Sequence, residues 1–127
     1  VVRDWEKKLV EGIHGMGALV RLHICGNTNA IFPFLSEVNA DIVDLDSMAV
    51  IADARKAIGK DRVLSGNIDP VRVLQNGTAA GVTAGFSRCL AEAGGARYAV
   101  NAGCEIPRGT PVENLKAMMV FARSHRE

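Results

Sequence analysis

Near the start of the chain a histidine and a cysteine stand two residues apart, His23 and Cys25, and another cysteine, Cys104, lies far downstream. On a β-strand, residues two apart point to the same face, so both side chains are available to one ligand. Imidazole and thiolate are the preferred zinc ligands, at about 2.0–2.1 Å and about 2.3 Å. Three protein ligands with one open position is the layout of a catalytic zinc site rather than a structural one. The plain alternative is a buried, inert pair, since cysteine ranks among the most buried residue types. Cys104 at a matching strand end tips the balance toward a metal. Cys89, after Ser87 and Arg88 in the middle of a helical stretch, is expected in the core, and His14 and His125 in solvent.

The elements that must position these residues can be read from periodicity. Residues 3–16 carry Trp5, Leu9, Val10 and Ile13 at helical spacing, and Gly15 and Gly17 stop that helix. A strand–helix unit then recurs. Strands are expected at 18–24 (ALVRLHI), 41–46 (DIVDLD), 62–65 (RVLS) and 98–102 (YAVNA); helices are expected at 28–38, 48–58, 78–93 and from about 110 to 124. Asp69 followed by Pro70 reads as an N-cap with proline in the first turn, and Thr110-Pro111-Val112-Glu113 as a capping box. Strands joined by crossovers of helical length run parallel, with the helices packed outside. Periodicity leaves open whether they form part of a (β/α)8 barrel or a small open sheet.

The metal reading bears on that choice. On a flat sheet, the first and fourth strands lie three spacings apart, roughly 14 Å at about 4.8 Å each. A histidine and a cysteine sharing one ion span only about 10 Å between Cα atoms. A flat sheet fails and a curled one succeeds, so the metal and the barrel support each other. The chemically capable residues also follow the strands (His23 to Asn27, Asp44 to Asp46, Gly66 to Pro70, Asn101 to Glu105), whereas the opposite loops are plain turns. In parallel α/β folds, sites are built at that C-terminal edge.

Composition excludes other classes. The chain has 127 residues, 48% hydrophobic and 23% charged, with a formal net charge of +1. Such a balance describes one ordinary globular domain and argues against nucleic acid as a partner, because phosphate binding leaves a basic excess. No apolar run approaches the roughly 18–20 residues of a membrane span, and no signal peptide is visible. Three scattered cysteines do not make a disulfide framework, so a reducing, cytoplasmic setting is expected. The chain opens on Val1 and runs directly into a helical pattern, which reads as a piece of a longer protein.

HICGNT (His23 to Thr28), SGNIDP (Ser65 to Pro70) and AGCEIPRGTPVENLKAM (Ala102 to Met118) together resemble the C-terminal half of the uroporphyrinogen decarboxylase superfamily. Within it they are similar to the corrinoid-dependent methyltransferase branch, which includes methylcobamide:coenzyme M methyltransferases. That branch is marked by a His-x-Cys … Cys zinc motif, met here by His23, Cys25 and Cys104. The decarboxylases carry a Gly-His-Gly type segment where this chain has Gly103-Cys104-Glu105, and they lack the His-x-Cys pair. The Asn-Ile-Asp-Pro segment is common to both branches. The resemblance implies that residues 1–127 form a single segment, the C-terminal half of a (β/α)8 barrel, with four parallel strands each followed by a helix.

The resemblance also implies a chemistry. Zn2+ held by His23, Cys25 and Cys104 would lower the pKa of a small thiol such as coenzyme M, whose thiolate takes a methyl group from a methylated corrinoid on a partner protein. An acidic residue approaches the zinc at the position of Asp46 in related enzymes. Aspartate is one methylene shorter than their glutamate, which favours a role orienting His23 over a direct bond. A strand-end carboxylate that caps the next helix is the plain alternative. Asn27, Asn67, Asp69 and Asn101 share the same edge and are expected to contact substrate or corrinoid, although turn and cap duties explain Asn27 and Asp69 equally well. Two other functions compete: decarboxylation of uroporphyrinogen, and a non-catalytic half-barrel that self-associates. Exposed parallel edge strands favour a homodimer of half-barrels in the latter case.

Overall fold

A computed structural model describes residues 2–125. Helix α1 (Val2–Gly15) leads into four βα units: β1 (Arg21–Ile24) with α2 (Phe32–Val38), β2 (Ile42–Leu45) with α3 (Ile51–Ile58), β3 (Val63–Ser65) with α4 (Ala79–Glu92), and β4 (Tyr98–Ala99) with α5 (Val112–Ser124). The strands are all parallel and stand in the order β1-β2-β3-β4, with no reversal. Each helix packs on the next, α1 on α2, α2 on α3, α3 on α4 and α4 on α5. Helices that follow one another over one face of a sequentially ordered sheet describe one half of a (β/α)8 barrel, not a doubly wound sheet, whose order reverses at a switch point.

Strand alternation decides what lies under the helices. Val43 and Leu45 of β2 and Leu64 of β3 point outward and are at most 2% exposed, packed against Phe32, Leu35, Ile51 and Ala54. Phe86 of α4 and Phe121 of α5 stack at 5.7 Å and complete this layer with Cys89, which is buried as expected. The alternate residues Arg21, His23, Asp44 and Ser65 face the other way, and the register sets His23 beside Asp44 and Asp44 beside Ser65. No helix of the described residues is long and apolar enough to cross a membrane.

Several boundaries differ from the sequence reading, each for a local reason. The stretch 28–38 is a short 3-10 turn (Asn29–Ile31) and then α2, because Pro33 is tolerated only in a first turn. Helix α3 starts at Ile51 rather than Met48, since Met48 N–H donates to the Asp46 carboxylate at 3.0 Å and Val50 N–H to Asn29 Oδ1 at 2.8 Å. Asp69 does cap, accepting from Val71 and Arg72 N–H, but the element it opens is a wide helical turn, Pro70–Gln75, separate from α4. The capping box at Thr110 does not form: Pro111 is the N-cap of α5, and Thr110 Oγ1 donates to Pro107 O at 2.8 Å. His14 is not solvated but half-buried, 2.8 Å from Asp41 Oδ2. The His125 ring stacks on Phe121 with centroids 4.1 Å apart.

At the N-terminal edge of the sheet Arg55 of α3 binds the loops that lead into β3 and β4. Its Nε donates to Ala93 O at 2.7 Å, Nη1 to Gly59 O and Arg62 O at 2.8 Å, and Nη2 to Ala96 O and Arg97 O at 3.3 and 2.9 Å. All the N–H donors of the guanidinium are thus engaged. Burial, with Arg97 nearby, lowers its pKa from the ordinary arginine value.

Candidate metal centre

β1 ends in His23 and Ile24, and Cys25 follows at the turn out of the strand. Alternation carries His23 and Cys25 to the face opposite the helices, while Leu22 and Ile24 pack against the core. Gly26, at φ +88°, turns the chain sharply after Cys25 in a conformation other residues rarely adopt. Its N–H donates to Asp46 Oδ2 at 2.9 Å, which ties the end of β1 to the end of β2.

Cys104 arrives from the loop after β4. Gly103 makes this possible: a Cβ there would sit 2.3 Å from Ser47 N and 2.7 Å from Ser47 Cα, so only glycine lets the β4–α5 loop lie against the β2–α3 loop. Gly103 N–H also donates to Ile68 O at 2.9 Å. Sheet curvature and this close approach bring Cys104 Sγ to 3.9 Å from Cys25 Sγ, although β1 and β4 are the two outer strands. A flat sheet could not do this.

His23 Nε2 is 3.3 Å from Cys25 Sγ. One ligand atom from each of His23, Cys25, Asp46 and Cys104 lies within 4.8 Å of all the others. Ligands that share one tetrahedral zinc stand about 3.8 Å apart for two sulfurs and about 3.5 Å for a sulfur and a nitrogen, from the usual bond lengths. The observed 3.9 and 3.3 Å suit one shared cation. Electrostatics agree. The Cys25 thiol is pushed above its ordinary pKa by the Cys104 sulfur, which hydrogen-bonds to it and repels a second thiolate, with burial and the Asp46 charge adding to the effect. A divalent ion between the two sulfurs reverses the sign of that repulsion.

Asp46 is 8% exposed. Burial alone would raise its pKa, but the Gly26 and Met48 N–H groups and the Ser47 hydroxyl outweigh it and leave the carboxyl below its ordinary value. It lies within 4.8 Å of the His23 ligand atom but makes no hydrogen bond to the ring. The residue beside that ring is Asp44: its carbonyl is hydrogen-bonded to Nδ1 at 3.2 Å, and its carboxylate lies alongside, with Oδ2 3.1 Å from the same nitrogen. Asp44 is 5% exposed and also accepts from Arg21 Nη2 at 2.7 Å and Asn101 Nδ2 at 3.0 Å.

A cavity of about 400 Å3 opens over the cluster, lined by His23, Cys25 and Cys104 together with Arg21, Asp44 and Asn101. A larger one of about 570 Å3 runs beside β4, near Leu90 and Ala122, and no cysteine or carboxylate lines it. Of the four residues expected to contact substrate, Asn101 lines the cavity over the cluster, and Asn27, Asn67 and Asp69 do not. Asn27 Oδ1 accepts from Asn29 N–H at 3.1 Å, and Asp69 caps the turn that follows it. The buried Asn67 amide donates to Asp46 O and Ala49 O at 2.8 and 2.7 Å. Arg21 is not expected from sequence, and Asp44 is expected only as one of the chemically capable residues after β2, with no role of its own; its signal is its place two residues before Asp46 in an alternating strand, on the same face.

Comparison with known proteins follows this geometry. The family model described as Uroporphyrinogen decarboxylase (URO-D) matches residues 1–125. The methylcobamide:CoM methyltransferase MtbA of Methanosarcina mazei is 32% identical over 122 residues, covering 96% of this chain and 35% of that protein. A uroporphyrinogen decarboxylase of Methylobacillus flagellatus is 36% identical over 85 residues, covering 66% of this chain and 23% of that protein. A solved methyltransferase from Methanosarcina mazei superposes with a TM-score of 0.83 at 23% identity, over 96% of this chain and 35% of its own, a likeness of fold. The chain spans about a third of the length of the first of these relatives.

Proposed function

We propose, for a chain that belongs to the uroporphyrinogen decarboxylase family, that it forms the last four βα units of a longer barrel and supplies the zinc-binding centre of a corrinoid-dependent methyltransferase. The reaction would move a methyl group from a methylated corrinoid, carried by a partner protein, to a small thiol such as coenzyme M. One observation carries this reading: His23, Cys25 and Cys104, from the two outer strands of the sheet, converge with Asp46 within 4.8 Å. Methyltransferase relatives support it, and so does the presence of Cys104 where the decarboxylase pattern has histidine.

His23 through Nε2 and the two cysteines through Sγ would hold the ion, with the fourth position left to the acceptor sulfur. When bound, zinc supplies Lewis acidity that lets a thiol ionise at neutral pH. The remaining work falls to the chain's own groups. Cys25 and Cys104 must each give up a proton to become ligands, and the Asp46 carboxylate, fixed by Gly26, Ser47 and Met48, keeps a negative charge beside them. As thiolates, Cys25 and Cys104 would make such a centre electron-rich, which would preserve nucleophilicity in an acceptor thiol. Asn101 and Arg21 present polar groups at the cavity wall to the rest of the acceptor.

Elemental analysis of the purified chain tests the reading directly. About one zinc per chain is expected, with stoichiometric binding lost in Cys25→Ser and in Cys104→Ser. A chain that binds no zinc, or binds it as well without either sulfur, overturns it. The decarboxylase alternative predicts carbon dioxide release from uroporphyrinogen; none is expected.

A further inference from the structure

The structure assigns Asp44 as the residue that positions His23 for the metal centre, an assignment that rests on the zinc reading above for its functional meaning. Position comes first. The β1–β2 register sets His23 and Asp44 side by side on the inner face of the sheet, so the Asp44 carbonyl and carboxylate both come beside the ring. Asp44 Oδ2 lies 3.1 Å from Nδ1, and the Asp44 carbonyl 3.2 Å from it. The opposite nitrogen, Nε2, lies 3.3 Å from Cys25 Sγ and so faces the cluster.

Chemistry follows from that geometry. Two acceptors on one side of the ring require a proton on Nδ1, which leaves the lone pair on Nε2. That tautomer accepts from the Cys25 thiol in the metal-free chain and donates its lone pair to a cation in the loaded one. A carboxylate charge beside the far nitrogen also makes the imidazole a stronger ligand. Asp44 is itself fixed: it is 5% exposed, and Arg21 Nη2 and Asn101 Nδ2 hold its oxygens at 2.7 and 3.0 Å. Arg21 and Asn101 thereby act on the metal centre at one remove, through the carboxylate. Asp46, the nearer aspartate in the cluster, has no such bond to the ring; it braces the two loops instead.

The test separates this proposal from the zinc reading because its first arm needs no metal. In the metal-free wild-type chain, 15N correlation spectra of the histidine side chains should show His23 with its proton on Nδ1. Asp44→Asn leaves the carbonyl in place and removes the carboxylate charge beside the ring, and should weaken zinc binding, measured by chelator competition, roughly 10–100-fold. Asp44→Glu, which keeps the charge, should recover part of that loss; it carries the same readouts if the asparagine variant does not fold. A wild-type His23 protonated on Nε2, or an Asp44→Asn chain with unchanged zinc affinity, overturns the assignment. Failure to bind zinc with the Nδ1–H tautomer intact strikes the zinc reading and leaves the positioning of His23 standing.

Discussion

The two ends of this sheet gather polar groups in opposite ways. At the N-terminal edge a single guanidinium, Arg55, meets carbonyls from the turns around it, and each of its donors has an acceptor within 3.3 Å. At the C-terminal edge sulfur, imidazole and carboxylate approach one another, one ligand atom of each within 4.8 Å of the others. One cluster is complete as it stands, and the other is the one proposed to hold a metal ion. Convergence of polar atoms is therefore no sign of function by itself; what distinguishes a site is valence left over after the neighbours are counted.

Substitutions at the two ends should break differently. The largest effect is expected from Gly103→Ala, whose added methyl would stand 2.3 Å from the Ser47 nitrogen. The loop must move, and Cys104 with it. Zinc affinity should fall roughly 10–100-fold, as for loss of an outer contact to a metal ligand. Overpacking against backbone should also cost about 2–3 kcal/mol of stability in denaturant titrations. Arg55→Met should sharpen the contrast: a loss of about 1–2 kcal/mol from uncompensated carbonyls, with zinc stoichiometry unchanged. Loss of zinc from that variant would mean that the two edges are not independent.

The smallest effect concerns acid, again at the N-terminal edge. Asp41 has its pKa lowered below the usual 3.8, first by the Val20 N–H that donates to it at 2.7 Å and then by His14. A carboxyl whose folded pKa is depressed adds stability above its unfolded value, and that contribution disappears as pH falls through the folded one. Unfolding midpoints followed below about pH 4 should thus decline less steeply in Asp41→Asn than in wild type. An identical pH profile for the two would remove Asp41 from the account.

Much of this was legible in the sequence, and the exceptions have physical causes. The alternation in DIVDLD and the spacing of the βα units gave the parallel fold, because burial on one face imposes a period that residue types reveal. His23, Cys25 and Cys104 stood out because few residues bind metals and their spacing matched strand ends. The role of Asp44 did not, since it comes from lying beside His23 on a neighbouring strand, a register that no single-strand pattern encodes. Asn67 and Asp69 illustrate the converse: polar residues at the right edge whose side chains are engaged by nearby backbone. Thr110 failed as a cap because Pro111 occupies the N-cap position and its own hydroxyl turns back to Pro107.

The contact of Gly103 with Ser47 makes two segments distant in sequence into one mechanical part. An insertion after β2 would lift the cysteine carried by the turn after β4, so the lengths of these segments can change only in concert. Anyone transplanting the centre to another barrel would have to move both turns together, with the bare backbone of residue 103 as the hinge pin between them.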